Sequence, residues 1–316
     1  TAPLMTNSME PRSILRKSSS NQNHQNHYNR PYAEQLPHTH SFASEMSENA
    51  TTCGLIMDGA IRPAVSEFLS VFASILLFLH LDAELANRHV VAVQRFLIMA
   101  LLDGISALTF YSAFRTVHLS PVISLSQSIT LSTSALICGL LVLVQAVAAI
   151  LAVVTHTLLR GGDVRLPTLR LQENISADDE SLALYRMLFC QFLGTLLVVM
   201  SHLLSAGSLM RRNGSVRLGV YRDSQPLPLF HTIALSTFLM QLQTTLNWNP
   251  LLSLAISVYH HVWHGQSEQM SQLHLFLLSP VIAALLASLL FRTLFTSDER
   301  RLFKCGDTAG SEAANF

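Results

Sequence analysis

Two short stretches of this sequence place a small polar residue and a proline at the head of an apolar run: Ser120-Pro121-Val122 and Asn249-Pro250-Leu251. A capping side chain followed by Pro at the first position is a helix start, and the run behind each is about ten residues, too short to cross a bilayer. Two such helices meeting tip to tip would aim their partial positive charges at one point, repelling cations and handling neutral, hydrogen-bonding molecules. Asn249 suits that task, because a carboxamide can cap the helix with its oxygen while its NH2 donates to a passing molecule. Ser120 does only part of this: its hydroxyl caps well, which leaves no comparable second donor. Either box alone reads by default as a short surface helix.

Other residues carry chemistry of their own. Asp103 lies within an apolar run, where a carboxylate marks either an acceptor inside a passage or a partner for a buried donor such as His202. Glu67, Gln145 and Gln191 also sit in apolar runs, where facing lipid is costly, so they are expected to face protein and bind the backbone that leads into the short helices. Glu67 has a second reading, as a residue near a helix end that reaches water. His118, two residues before Ser120, offers a pore-facing nitrogen and a pH-sensitive charge at a vestibule, or plain packing. His260, His261 and His264, with His24, His27, His38 and His40, lack thiolates or carboxylates in step, so no metal site is expected, nor any cofactor. There is no Gly-rich phosphate loop, no zinc-protease helix motif and no nucleophile elbow, and Asp103 has no second carboxylate beside it; enzymatic activity is not expected.

The elements that must hold these residues follow from composition. Of 316 residues, 50% are hydrophobic and 13% charged, and mean hydropathy is +0.37, which excludes most soluble folds. Lys plus Arg equals Asp plus Glu at 20 each, giving no basic surface for nucleic acid. Cys138 and Cys190 lie in apolar runs and Cys53 and Cys305 on polar flanks, with no disulfide framework. Residues 1–59 form a polar, low-complexity head and 297–316 a polar tail, enclosing a 60–296 membrane domain. Within it, six apolar segments approach the length of a span: 62–81, 93–113, 135–157, 183–205, 227–245 and 273–295. The boxes fall after the second and fifth and read as re-entrant half-helices. Glu67-Phe68-Leu69 opens one half and Gln191-Phe192-Leu193 the other; with three spans per half, the second copy must be inverted in the membrane. Arginines and lysines in the head, in the loop after span four (Arg211, Arg212, Arg217, Arg222) and in the tail place both termini in the cytoplasm. Arg160, Arg165 and Arg170 blur that asymmetry. Of the three sequons only Asn174 then faces outward for glycosylation.

Six spans, two half-helices and an inverted repeat resemble the major intrinsic protein family, the aquaporins and glyceroporins, over about residues 62–296. His118-Leu119-Ser120-Pro121-Val122 resembles that family's first Asn-Pro-Ala box with its preceding His, and Asn247-Trp248-Asn249-Pro250-Leu251 the second. Glu67, Gln145 and Gly194-Thr195 match buried family positions, and Leu278-Ser279-Pro280 resembles a Gly-Pro turn. Ser120 replaces the first Asn, Val122 and Leu251 replace both Ala residues, and Leu252 stands where the family usually has a filter Arg. The other filter positions fall on Ala100, Thr237 and Leu246. The divergent boxes look most like the superaquaporins, although that subgroup's Cys falls on His260. The resemblance implies an all-helical, aquaporin-like channel, tetrameric, for water, glycerol, urea or hydrogen peroxide, with a wide apolar filter; the alternative is a non-conducting protein of the same fold with a structural or trafficking role. Plasma membrane and endoplasmic reticulum are not distinguished.

Overall fold

The computed structural model describes residues 57–114, 117–161, 166–167, 180–210 and 226–295. Nearly all of them are helical. After a π-turn (Met57–Ile61) come α1 (Arg62–Asn87), α2 (Ala92–Phe114), the short α3 (Pro121–Ile129) and α4 (Ala135–Leu159). The second half repeats the order as α5 (Glu180–Met210), α6 (Pro226–Gln241), the short α7 (Pro250–His264) and α8 (Glu268–Leu290), closed by a π-turn (Phe291–Phe295). The head, the tail, Asn174 and the other two sequons lie outside the described residues.

Packing follows the repeat. Helix α1 packs on α4 as α5 packs on α8, α1 touches α2 as α5 touches α6, and the short helices each lie on the last helix of both halves: α3 on α4 and α8, α7 on α8 and α4. Exchanging the halves maps each of these pairings onto another, while α2 and α6 pack against each other. Small residues permit the closest approaches. A Cβ on Gly104 would lie 2.9 Å from the Phe230 carbonyl oxygen, and one on Gly194 would lie 3.1 Å from Ser236 Cβ. The Ser236 hydroxyl donates to the Gly194 carbonyl at 2.8 Å.

Among the described residues five helices are long and apolar enough to cross a bilayer, and a further apolar helix, Leu227–Gln241, is shorter. Sixteen residues at about 1.5 Å each span roughly 24 Å, less than the ~30 Å hydrocarbon layer. The sequence placed the end of this segment at 245, but the helix stops at Gln241, whose side-chain amide donates to the carbonyls of Thr245 (3.1 Å) and Leu246 (3.2 Å). Irregular backbone at this depth is tolerated because it is enclosed by protein; Leu246 is fully buried. Outside the helix packing, Arg95 pairs with Asp82 at 2.6 Å and Arg160 with Glu84 at 2.5 Å. Arg160 is thus one of the blurring cations whose charge is locally matched.

Pro280 sits inside α8 rather than in a turn. Its missing N–H frees the carbonyl of Phe276, four residues earlier. The Gln191 amide donates to that carbonyl at 2.9 Å, and Ser279 donates to the Leu188 carbonyl at 2.9 Å. Both bonds tie α5 to α8.

Candidate functional site

The half-helices begin where the sequence places them. Ser120 and Asn249 are the N-caps of α3 and α7, with Pro121 and Pro250 in the first turn. Their tips are in contact: Ser120 Oγ donates to Asn249 Oδ1 at 3.1 Å, across 129 residues of chain, and Asn249 Nδ2 donates to the Leu119 carbonyl at 2.7 Å. Asn249 Oδ1 also accepts from the Leu251 N–H at 3.2 Å, so the carboxamide oxygen caps its own helix. Two details differ from the sequence reading. The Ser120 hydroxyl makes no cap bond; it donates across the junction to the Asn249 oxygen instead. The Asn249 amide nitrogen is engaged with a protein carbonyl, one made available because Leu119 adopts a left-handed backbone with φ of 63°. That conformation is costly for leucine and persists only where its surroundings impose it.

Glu67 supplies much of that constraint. It is fully buried on α1, and its carboxylate accepts the backbone N–H of His118 and, at 3.2 Å, that of Leu119. Gln145 of α4 donates to the same carboxylate at 3.0 Å and to Ser124 Oγ at 3.2 Å. His118 Nδ1 lies 2.9 Å from Ser124 Oγ, and the Tyr111 hydroxyl donates to the His118 carbonyl at 2.8 Å. The loop into α3 is therefore held from α1, α2 and α4, and one nitrogen of His118 faces this network. The second half is built differently. Gln191, the counterpart of Glu67, is turned to Phe276, and the loop into α7 is shaped locally: Asn247 Oδ1 accepts from the Asn249 N–H at 3.2 Å.

Beside the junction is a small cavity lined by Val71, Ser74, Ile75, Asp103, Leu119 and Asn249, among others. The volume open to the centre of a water-sized sphere is ≈ 20 Å³, room for about one water. Asp103 does not pair with His202. Its Oδ2 accepts from the Thr237 hydroxyl and, at 3.3 Å, from Asn247 Nδ2, while His202 Nε2 lies 2.6 Å from Gln127 Nε2. Of the four filter positions, Ala100, Thr237, Leu246 and Leu252 are all buried; none lines the cavity, and Thr237 reaches it only through Asp103. Val122, Pro250 and Leu251 pack in the core. Sequence reasoning missed Ser124, Tyr111 and Ser74. Ser124, one helical turn after Ser120, carried a signal in its spacing; the other two did not. Among the described residues no group of three or more His, Cys, Asp or Glu could hold a metal.

A comparison with curated proteins finds no match. The sequence profile described as Major intrinsic protein matches residues 57–291, a stretch that takes in all eight helices, both boxes and the cavity. That family consists of membrane channels for water or small solutes, which accords with two half-helices meeting tip to tip inside a helical bundle. The chain therefore belongs to the major intrinsic protein family and is an integral, multi-pass membrane protein of aquaporin-like all-helical fold.

Proposed function

We propose that this chain passively conducts water together with small neutral solutes such as glycerol, urea and hydrogen peroxide, through a passage centred on Ser120, Pro121, Val122, Asn249, Pro250 and Leu251. The observation that carries the reading is the direct bond between Ser120 Oγ and Asn249 Oδ1, which brings two helix N-termini to one point. Their summed partial charge disfavours hydronium and other cations, while polar atoms there replace the hydrogen bonds a solute sheds. Ala100, Thr237, Leu246 and Leu252 form the constriction in this reading. Leucine in place of an arginine removes a fixed charge and several donors, giving a greasier opening that favours solutes larger than water. Glu67, Gln145 and Gln191 act as scaffold, His118 as a vestibule residue. The chain works as a homotetramer in the bilayer, both termini cytoplasmic and Asn174 glycosylated outside, without cofactor, metal, nucleic acid or catalysis.

The second reading, a non-conducting protein of structural or trafficking role, is favoured by one observation. Both polar groups of Asn249 are bonded to protein, and Leu246 and Leu252 are wholly buried, so an apolar neck is free to dewet. Permeability measurements on purified protein in vesicles, with water, glycerol, urea and hydrogen peroxide, separate the two. Conduction predicts that Asn249→Asp changes flux far more than Leu251→Ala. Equal effects of the two changes remove Asn249 from the centre, and no flux of any solute supports the second reading.

A further inference from the structure

We propose that Asp103 is the positioning residue of the second half-helix: acting through Asn247, it does for the loop into α7 what Glu67 does for the loop into α3. The two halves of the repeat are unequal at this point. Glu67 reaches its loop from α1 with a buried carboxylate that accepts the His118 and Leu119 N–H groups. Its counterpart on α5, Gln191, is neutral and donates to the Phe276 carbonyl, and its own side-chain oxygen has no partner among the described residues. A carboxylate arrives instead from α2. Asp103 is 8% exposed, and its Oδ2 accepts from Asn247 Nδ2 at 3.3 Å and from the Thr237 hydroxyl of α6. Asn247 Oδ1 in turn accepts the backbone N–H of Asn249, the cap of α7, at 3.2 Å.

The two unlike ends of a carboxamide make this arrangement directional. Asn247 must turn its NH2 toward the carboxylate, which only accepts, and that leaves its oxygen for the Asn249 N–H, which only donates. Turned over, the amide would set acceptor against acceptor at one end and donor against donor at the other. The charge on Asp103 strengthens the bond that fixes the choice. The Thr237 bond, on the same carboxylate oxygen, holds that oxygen where α2 packs on α6. From Asn249 the chain of bonds runs on through Nδ2 to the Leu119 carbonyl, and the Leu119 N–H ends on Glu67. The junction is thus strung between two buried carboxylates, one from α1 and one from α2, each setting one loop. Asp103, Asn247, Trp248 and Asn249 all line the cavity beside the tips, so the setting of Asn247 bears directly on the passage.

The test exchanges the two residues. Asn247→Asp alone sets two acceptors face to face, whereas Asp103→Asn combined with Asn247→Asp restores a donor opposite an acceptor and keeps acceptors for Thr237 and for the Asn249 N–H. Both are made in full-length protein carrying Trp263→Phe, which leaves Trp248, 2% exposed between Asn247 and Asn249, as the sole tryptophan. Acrylamide quenching of Trp248 reads the loop whether or not the protein conducts; glycerol permeability of vesicles reads the passage and rests on the channel reading above. Asn247→Asp is expected to raise quenching toward that of an exposed indole and to lower glycerol permeability about tenfold, and the exchange to return both to near the parent's values. An exchange no better than Asn247→Asp, or an Asn247→Asp protein indistinguishable from its parent, overturns the inference. The expected quenching pattern in a parent that passes no solute supports it and overturns the channel reading instead. Where Asn247→Asp does not fold, folded protein from the exchange supports the inference, and failure of both to fold overturns it.

Discussion

Replacing Glu67 by alanine should unseat the first half-helix. The Glu67 carboxylate takes bonds from the His118 and Leu119 N–H groups and from the Gln145 amide, and Glu67 is fully enclosed. Alanine leaves three donors without an acceptor in a site closed to water, at about 1–3 kcal/mol each, or roughly 3–9 kcal/mol together. Against a total stability of about 5–15 kcal/mol, that is a large fraction. Even the low end lowers Tm by about 6 °C or more for a bundle of this size. Glutamine keeps one acceptor oxygen but sets an NH2 where a second acceptor is required, so Glu67→Gln falls between wild type and alanine. Thermal unfolding in detergent, followed by tryptophan fluorescence, reads this directly; the chain has two tryptophans, and Trp248 is buried beside the second box. The control is Leu69→Ala, on the same helix but 46% exposed. A Glu67→Ala protein that melts no lower than Leu69→Ala would refute the reasoning.

Three further outcomes are expected. Gly104→Val drives a side chain into the Phe230 carbonyl, 2.9 Å from where its Cβ must sit, and should destabilise the protein by about 1–3 kcal/mol; Gly139→Ala, whose Cβ meets nothing within 4 Å, should be neutral or stabilising in the same melts. Gln191→Leu strips the donor from the Phe276 carbonyl, and its cost should shrink by about 1 kcal/mol or more in a Pro280→Ala background, where the helix regains its own N–H; a double-mutant cycle measures this coupling. Expression in glycosylating cells should give a gel shift that Asn174→Gln abolishes and that changes at Asn49 or Asn213 leave alone; a shift that survives Asn174→Gln contradicts the topology.

What the sequence disclosed and what it withheld divide along sequence distance. The long helices are visible because burial in lipid demands uninterrupted apolar runs, and the starts of α3 and α7 because a cap followed by Pro is a local signal. The inverted repeat follows from counting. The end of α6 was missed by four residues, since Leu242 to Thr245 contains no Gly or Pro to mark a stop, whereas in the fold the Gln241 side chain turns forward onto the carbonyls of Thr245 and Leu246. The Ser120 hydroxyl was assigned to its own helix, the nearest partner in sequence, whereas its actual partner is 129 residues away. Asp103 was expected to meet a passage or a buried donor such as His202; the buried donors that bind it are Thr237 and Asn247, 134 and 144 residues distant. Gln191 was expected to bind the backbone leading into a short helix; its partner is instead the Phe276 carbonyl freed by Pro280, which only the folded pair of helices presents to it.

The central claim is that two half-helix tips joined by Ser120 and Asn249 border a passage for small neutral molecules. Light scattering from vesicles containing the purified chain, mixed rapidly with hyperosmotic glycerol, tests it most directly. The account predicts fast initial shrinkage followed by re-swelling as glycerol enters, driven by its gradient alone and slowed in Asn249→Asp. Shrinkage and recovery indistinguishable from protein-free vesicles would contradict it.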